Sequence, residues 1–164
     1  MPRCHSAEAG GLIGLTQSIL PSSAAAELDR LAEEFAFLTD WEERYGHVIE
    51  LGRALPALTD AERRPEHKVQ GCASQVWLIR DLDGPDGRLR FRGDSDAHIV
   101  RGLLALVLRV YSDRSAAEIL ALEPSALSAR LGLSHALSAQ RSNGLASVLA
   151  RIREHAVQAL PAGA

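Results

Sequence analysis

Residues 75–92 read QVWLIRDLDGPDGRLRFR, and the pattern of this stretch decides the fold class. Residues 75–82 carry apolar side chains on both faces and are predicted to form a strand. Residues 83–87, Asp-Gly-Pro-Asp-Gly, are a strong turn signal. Residues 88–92 alternate, which places Leu89 and Phe91 inward and three arginines outward. The stretch therefore predicts an antiparallel hairpin with one solvent-exposed face.

Helical patterns precede this hairpin. Apolar residues recur at helical spacing from Ala24 to Leu38 and predict a first helix. Thr39 as N-cap, with Glu42 reaching back to it, predicts a capping box that opens a second helix. Residues 56–68 are polar and contain two prolines, so we expect a connector there rather than a part of the core.

Helical patterns also follow the hairpin. Residues 97–111 predict a long helix that is apolar around most of its circumference. Residues 115–118, Ser-Ala-Ala-Glu, form a second capping-box pattern that opens a run of short helices. Ser142-Asn143-Gly144 is predicted to cap the final helix. Helices, then a hairpin, then helices indicate an α+β fold in which a short antiparallel sheet packs against helices.

Composition limits the classes of protein to consider. The chain has 164 residues, of which 46% are hydrophobic and 24% charged, as expected for one globular domain with a substantial core. Residues 1–23 are rich in Gly, Ser and Ala and are expected to be a poorly ordered extension, which leaves residues 24–164 as the single domain. The formal net charge of −3 argues against a nucleic-acid partner.

The expected compartment is the cytoplasm. No apolar run approaches the length of about 18 residues that a membrane-spanning helix requires, and the N-terminus is a poor signal peptide. Cys4 and Cys72 are too few for a disulfide framework or a thiolate zinc site. We therefore expect reduced thiols and no membrane partner.

Cys72 is the residue whose surroundings look suited to a reactive atom. Gly71 precedes it and the small residues Ala73 and Ser74 follow, just before the predicted strand. A cysteine beside a strand is more often a small buried hydrophobe. A nucleophile needs a partly exposed, stabilised thiolate, and His67 or Lys68 is near enough in sequence to lower the thiol pKa.

Other chemistry is less well supported. A Cys–His hydrolase is open because six histidines are present, although none lies in a cysteine-protease signature. Asp94 and Asp96 are a carboxylate pair or, more simply, N-caps of the following helix. Arg141 lies in a predicted interhelical connection, as a solvated side chain or a functional one.

At this point residues 25–160 resemble the SufE-type cysteine desulfuration proteins, the sulfur acceptors of iron–sulfur cluster assembly. The string Gly-Cys-x-Ser-Gln-Val-Trp is specific, and the other motifs are strong as an ordered set. In chain order the motifs are Trp41-Glu42-Glu43-Arg44-Tyr45, Glu50-Leu51-Gly52 with Leu55-Pro56, Val69-Gln70-Gly71-Cys72-Ala73-Ser74-Gln75-Val76-Trp77, Gly93-Asp94-Ser95-Asp96-Ala97 with Ile99-Val100 and Gly102-Leu103, and Arg141-Ser142-Asn143-Gly144-Leu145.

The resemblance implies a fold similar to the IscU-type scaffold proteins and a sulfur-accepting Cys72 at a loop tip that an apolar cavity can shelter. It implies that sulfur comes from a PLP-dependent cysteine desulfurase and goes to an iron–sulfur cluster scaffold complex, with no cofactor or metal of the chain's own, as a monomer or homodimer. The alternative is an IscU-like metal or cluster scaffold, which needs several ligands at one site. The residues implied to support the site are Gly71, Ala73, Ser74, Gln75, Asp94, Asp96 and Arg141.

Overall fold

Six helices and one two-stranded antiparallel sheet make up the part of the chain that the computed structural model describes, residues 23–84, 86–133 and 137–161. The α+β class is confirmed. The expected extension lies outside the described residues except for Ser23, whose side chain caps the first helix. In order, the elements are α1 (Ala24–Ala36), α2 (Trp41–Ala54), a 3₁₀ turn (Pro65–His67), β1 (Val76–Arg80), β2 (Phe91–Ser95), α3 (His98–Tyr111), α4 (Ala116–Ala121), α5 (Ala126–Arg130) and α6 (Ala139–Ala159).

The hairpin is present, but its second strand begins later than predicted. β1 and β2 pair from Val76 opposite Ser95 to Arg80 opposite Phe91. Leu89 instead donates its N–H to the carbonyl of Arg114, at 2.9 Å, which takes it out of the ladder. Leu89 and Phe91 are buried, as the alternating pattern predicted.

Helix α3 lies at the centre of the core. It packs against α1, α2, α6 and β2. Gly102 allows α2 to approach closely, because a Cβ atom there would overlap the carbonyl oxygen of Val48. The predicted burial of this helix is confirmed along most of its length. Residues of this helix also line the cavity of the candidate functional site, which is described below.

Two of the predicted helix starts are shifted. In α2 the cap is Asp40, which accepts from the Glu43 N–H at 2.9 Å, one residue beyond the predicted Thr39; Glu43, not Glu42, reaches back and accepts from the Thr39 N–H at 2.9 Å. Helix α6 begins at Ala139 and not at the predicted Ser142-Asn143-Gly144. The capping box at residues 115–118 is confirmed.

The connector, residues 56–68, is more than the polar linker that was predicted. Leu58 is only 5% exposed and packs with Trp77 and Ile79 on the face of the sheet opposite the main core. Its position is fixed by Asp94, which accepts from the Leu58 N–H at 3.0 Å and from the Arg63 guanidinium at 2.8 Å. The connector therefore covers one face of the hairpin.

Asp94 is buried and holds the connector in place. It is not the N-cap of helix α3 that its position in the sequence suggested. It lies within β2 with its side chain 0% exposed, and helix α3 begins only after Ala97. Burial by itself raises the pKa of Asp94, but bonds from Arg63, the Leu58 N–H and the Ser95 N–H hold that pKa below its usual range.

Within the described residues, no helix is both long and apolar enough to cross a membrane.

Candidate functional site

Cys72 lies on a short loop whose two ends are held together. The Val69 N–H donates to the Val76 carbonyl at 2.8 Å, and Lys68 pairs with Trp77 in an isolated antiparallel bridge. Residues 70–75, here called the cysteine loop, therefore leave and rejoin the same edge of the hairpin. Because the loop is short, a few contacts are enough to fix the position of its tip.

Gly71 is required in this loop for two reasons. Its φ of +91° lies in the region that side chains other than glycine rarely adopt. A Cβ atom at this position would also lie 2.7 Å from Oγ of Ser147 on α6. The loop therefore lies directly against α6 at the residue before the cysteine.

The Cys72 thiol also rests on α6. Its Sγ donates to the carbonyl oxygen of Gly144 at 3.6 Å, and a Cβ atom on Gly144 would lie 3.3 Å from Sγ. The side chain is half-buried. Glycine in the middle of a helix lowers its stability, so Gly144 is a position where room for the thiol outweighs helix propensity.

The thiol faces a cavity of about 310 Å³ between the cysteine loop, α3 and the first turns of α6. Cys72, Ala73 and Ser74 form one wall. The wall formed by α6 includes the polar residues Ser138, Gln140 and Arg141. Apart from Gly144, the remaining lining is aliphatic and consists of Val76, Val100, Leu103, Leu104, Val107, Leu145 and Val148.

Burial raises the pKa of the Cys72 thiol. An apolar wall cannot solvate a thiolate as water does, so the protonated form is favoured at rest. The expectation that His67 or Lys68 lowers this pKa was wrong. The His67 ring has its own partner, because Nδ1 lies 2.8 Å from the carbonyl oxygen of Glu62.

Arg141 lies in the first turn of α6 and not in the predicted interhelical connection. Its N–H donates to Oγ of Ser138 at 3.3 Å, which fixes the start of the helix. The half-exposed side chain borders the cavity on the same side as the helix N-terminus, and no residue in the described ranges bonds to its guanidinium. It is a cation beside the thiol cavity.

The other predicted site residues lie around the loop rather than in the cavity. Asp96 accepts from the Gln75 N–H at 3.1 Å, and the Ser95 hydroxyl donates to the Gln75 carbonyl at 2.7 Å. These bonds fix the end of the cysteine loop. Asp94 points instead toward the connector, so the two carboxylates do not act as a pair.

The structure adds three residues that were not predicted to belong to the site. Gly144, Ser147 and Val100 contact the loop or line the cavity. The isolated glycine at position 144 was the available signal, since a glycine within a helical pattern often marks close packing. No histidine lines the cavity among the described residues, and those residues contain no group of three potential metal ligands.

The model of a protein family described as "SufE: Fe-S metabolism associated domain" matches residues 29–156. The chain belongs to the SufE family. The match includes the cysteine loop and Arg141, and it confirms the resemblance that the motifs indicated. Membership of the SufE family gives the chain a role in iron–sulfur metabolism, in association with other proteins of that metabolism.

Two relatives agree with membership of the SufE family, and a solved structure shares the fold. An uncharacterized SufE-like protein of Rhizobium etli is 55% identical over 133 residues, which cover 80% of this chain and 90% of that protein. One of Rhizobium meliloti is 49% identical over 137 residues, 82% of this chain and 98% of the relative. The solution structure of a hypothetical protein from Thermus thermophilus shares the fold with a TM-score of 0.66 at 20% identity, covering 81% of this chain and 95% of that one.

Proposed function

We propose that Cys72 accepts sulfur from the persulfide of a PLP-dependent cysteine desulfurase and passes it to an iron–sulfur cluster scaffold complex. The observation that carries the proposal is the placement of the Cys72 thiol on a short loop, facing an aliphatic cavity with a cation beside it. Membership of a family associated with iron–sulfur metabolism supports it. The chain acts in the cytoplasm, where thiols stay reduced.

The reaction is a thiol–disulfide exchange with one sulfur displaced. The Cys72 thiolate attacks the outer sulfur of the donor persulfide, a new S–S bond forms on Cys72, and the donor cysteine leaves as a thiolate. Its rate depends on the fraction of thiolate and on access to the sulfur. Delivery repeats the same step, with the Cys72 persulfide as donor.

The resting position of the thiol opposes this reaction. Because burial raises its pKa, Cys72 is protonated and poorly nucleophilic while it faces the cavity. The cysteine loop must turn outward for the thiol to reach a partner. The bond between Sγ and the Gly144 carbonyl is weak because a thiol is a weak donor, and the ends of the loop are fixed independently of it.

Arg141 is assigned the role of stabilising the anion. A guanidinium beside the cavity favours the thiolate, and later the persulfide anion, by its charge and its N–H donors. The backbone N–H groups in the first turn of α6 add to this field. Gly71 and Asp96 serve a different role, since they set the conformation and the end of the loop.

The direct test is intact mass spectrometry after incubation with a cysteine desulfurase, PLP and cysteine. The expected result is a gain of one sulfur, lost on reduction and mapped to Cys72. Cys72→Ser is the negative control and Cys4→Ser the matched one, which is expected to load normally. Sulfur on Cys4 alone, or stoichiometric iron or zinc in the purified protein, would count against the acceptor role; metal would favour the scaffold alternative.

A further inference from the structure

The cavity beside Cys72 is much larger than one sulfur atom requires. A water molecule occupies about 30 Å³ of liquid, and a sulfur atom is of similar size. One added sulfur therefore fills about a tenth of the 310 Å³ available.

The aliphatic part of the cavity is built from elements of the core, while the cysteine loop and the first turn of α6 form its other walls. Val76 and Val107 are fully buried, and the neighbouring Leu104 and Val148 are nearly so. These side chains belong to β1, α3 and α6, which also pack against one another in the main core. Such walls do not collapse when the space is empty, because the same atoms are held by contacts on their other sides.

We propose that this cavity accommodates a chain of several sulfane sulfurs on Cys72, so that the protein stores sulfur as a polysulfide rather than carrying single atoms only. The inference rests on the proposed function, because it uses the same cysteine and the same donor. Each added sulfur extends the chain by about 2 Å, a step that the space next to Sγ allows several times.

The chemistry of the lining suits such a chain. Inner sulfane sulfurs are uncharged, polarisable and in little need of hydrogen bonds, like the thioether sulfur that packs readily in apolar cores. The seven aliphatic side chains of the lining provide that environment. The terminal sulfur carries the charge, and Arg141 on the polar wall is placed to neutralise it.

Chain growth is balanced without an oxidant. The terminal sulfur of a Cys72 persulfide, as its anion, attacks the outer sulfur of a second, protonated donor persulfide. A new S–S bond forms, the S–S bond of the donor breaks, and the donor cysteine leaves as a thiolate with the electron pair. The proton stays on the new terminal sulfur, and no electrons are gained or lost overall.

The test compares sulfur loading in variants that change the volume of the cavity at Val100, a half-buried lining residue on α3. Val100→Phe fills part of the space and Val100→Ala enlarges it. Val157→Phe, at an α6 position that is 58% exposed, is the matched control for added bulk. Each is made in a Cys4→Ser background and loaded in two ways, with a cysteine desulfurase and with sodium tetrasulfide, before intact mass spectrometry.

The expected result is that wild type, Val100→Ala and Val157→Phe carry species with two or more added sulfurs on Cys72. Val100→Phe is expected to lose most of the longer species, so that the ratio of these species to singly loaded Cys72 falls. At most one sulfur on wild type, or an unchanged distribution in folded Val100→Phe and Val100→Ala, would overturn the inference and leave the proposed function intact. Failure of the desulfurase to load Cys72 at all, with tetrasulfide loading normal, would count against the proposed function instead.

Discussion

The connector and the cysteine loop are adjacent in the chain but are held in opposite ways. The connector, residues 56–68, is held in place by ionic and backbone bonds: Arg63 donates to Asp94 at 2.8 Å, and Arg101 donates to the carbonyl of Leu55, the residue just before the connector, at 2.6 Å. The tip of the cysteine loop rests on α6 through a sulfur hydrogen bond of 3.6 Å. The stable contacts lie beside the candidate site, and the reactive group itself is held weakly.

This difference between the connector and the cysteine loop suits the proposed movement of the thiol. A fixed connector keeps the ends of the loop, the sheet and α3 in place, so movement of the thiol does not need local unfolding. A weakly held tip lets the thiol leave its cavity at small cost. The contrast predicts that variants in the loop change sulfur transfer and that variants in the connector change stability.

The largest effect is expected for Cys72→Ser. A hydroxyl cannot carry sulfane sulfur, so stimulation of a cysteine desulfurase should fall to background. The free energy of unfolding should change by less than about 1 kcal/mol, since the lost hydrogen bond is weak. Desulfurase assays and urea denaturation measure both quantities, and full stimulation by the variant would refute the role of the thiol.

Asp94→Asn is expected to show the opposite behaviour. It leaves the Arg63 and Arg101 guanidiniums without their shared carboxylate and should lower stability by about 3 kcal/mol. Asp83→Asn is the matched control, because its ion pair with Arg80 is at the surface and is worth less than about 1 kcal/mol. Similar losses in the two variants would contradict the anchoring role of Asp94.

Gly71→Ala is expected to loosen the loop. The backbone strain at φ +91° costs about 1–2 kcal/mol, and the new methyl group is forced against Ser147. Alkylation of Cys72 by iodoacetamide should become several-fold faster. Gly87→Ala shares the positive φ, at +71°, but has open space around it, so it should be strained without any change in alkylation rate.

Arg141→Ala is expected to slow sulfur loading of Cys72 by about tenfold, equivalent to about 1.4 kcal/mol in the transition state. The loss follows from removing a cation beside the developing anion. Arg141→Lys should recover part of the rate, because it keeps the charge. Single-turnover loading followed by rapid quench measures this, and equal rates in all three proteins would show that Arg141 takes no part.

The smallest effect concerns pH. His155 on α6 packs against the Phe91 ring, and burial, together with Arg80 and Arg151, lowers its pKa despite the opposing charge of Glu154. The unfolded chain therefore binds this proton more readily, so stability should fall as the pH drops below about 6.5, the usual histidine pKa. His155→Gln should remove this part of the pH dependence in urea denaturation at pH 5 and pH 8. An unchanged difference between the two pH values would assign the effect to other groups.

Local patterns were sufficient for much of the fold. The helix that begins at Ala24, the capping box at residues 115–118 and the inward positions of Leu89 and Phe91 depend on neighbours in sequence, and all were predicted correctly. The identification of Cys72 as a residue of interest also rested on local residues. Its role as the sulfur acceptor stays a prediction.

What the sequence did not reveal depends on distant contacts. Asp94 has the local signature of an N-cap, yet its partners Leu58 and Arg63 lie more than thirty residues away. Gly144 looked like a helix cap because the need to accommodate Cys72 cannot be seen from its neighbours. The direction of the Cys72 pKa shift was wrong for the same reason, since the apolar cavity is assembled from β1, α3 and α6.

The hydrogen bond from the Val69 N–H to the Val76 carbonyl marks a boundary between two sets of backbone amides. The amides on one side should exchange hydrogen with solvent slowly, and those on the other side quickly. That bond closes the base of the cysteine loop beside the paired strands, so the Val69 amide should exchange its hydrogen slowly, with the core. Amides inside the loop should exchange quickly whenever the tip lifts from α6. Hydrogen exchange across residues 69–75 would then record how often the thiol leaves its cavity, with the Val69 amide as the internal reference.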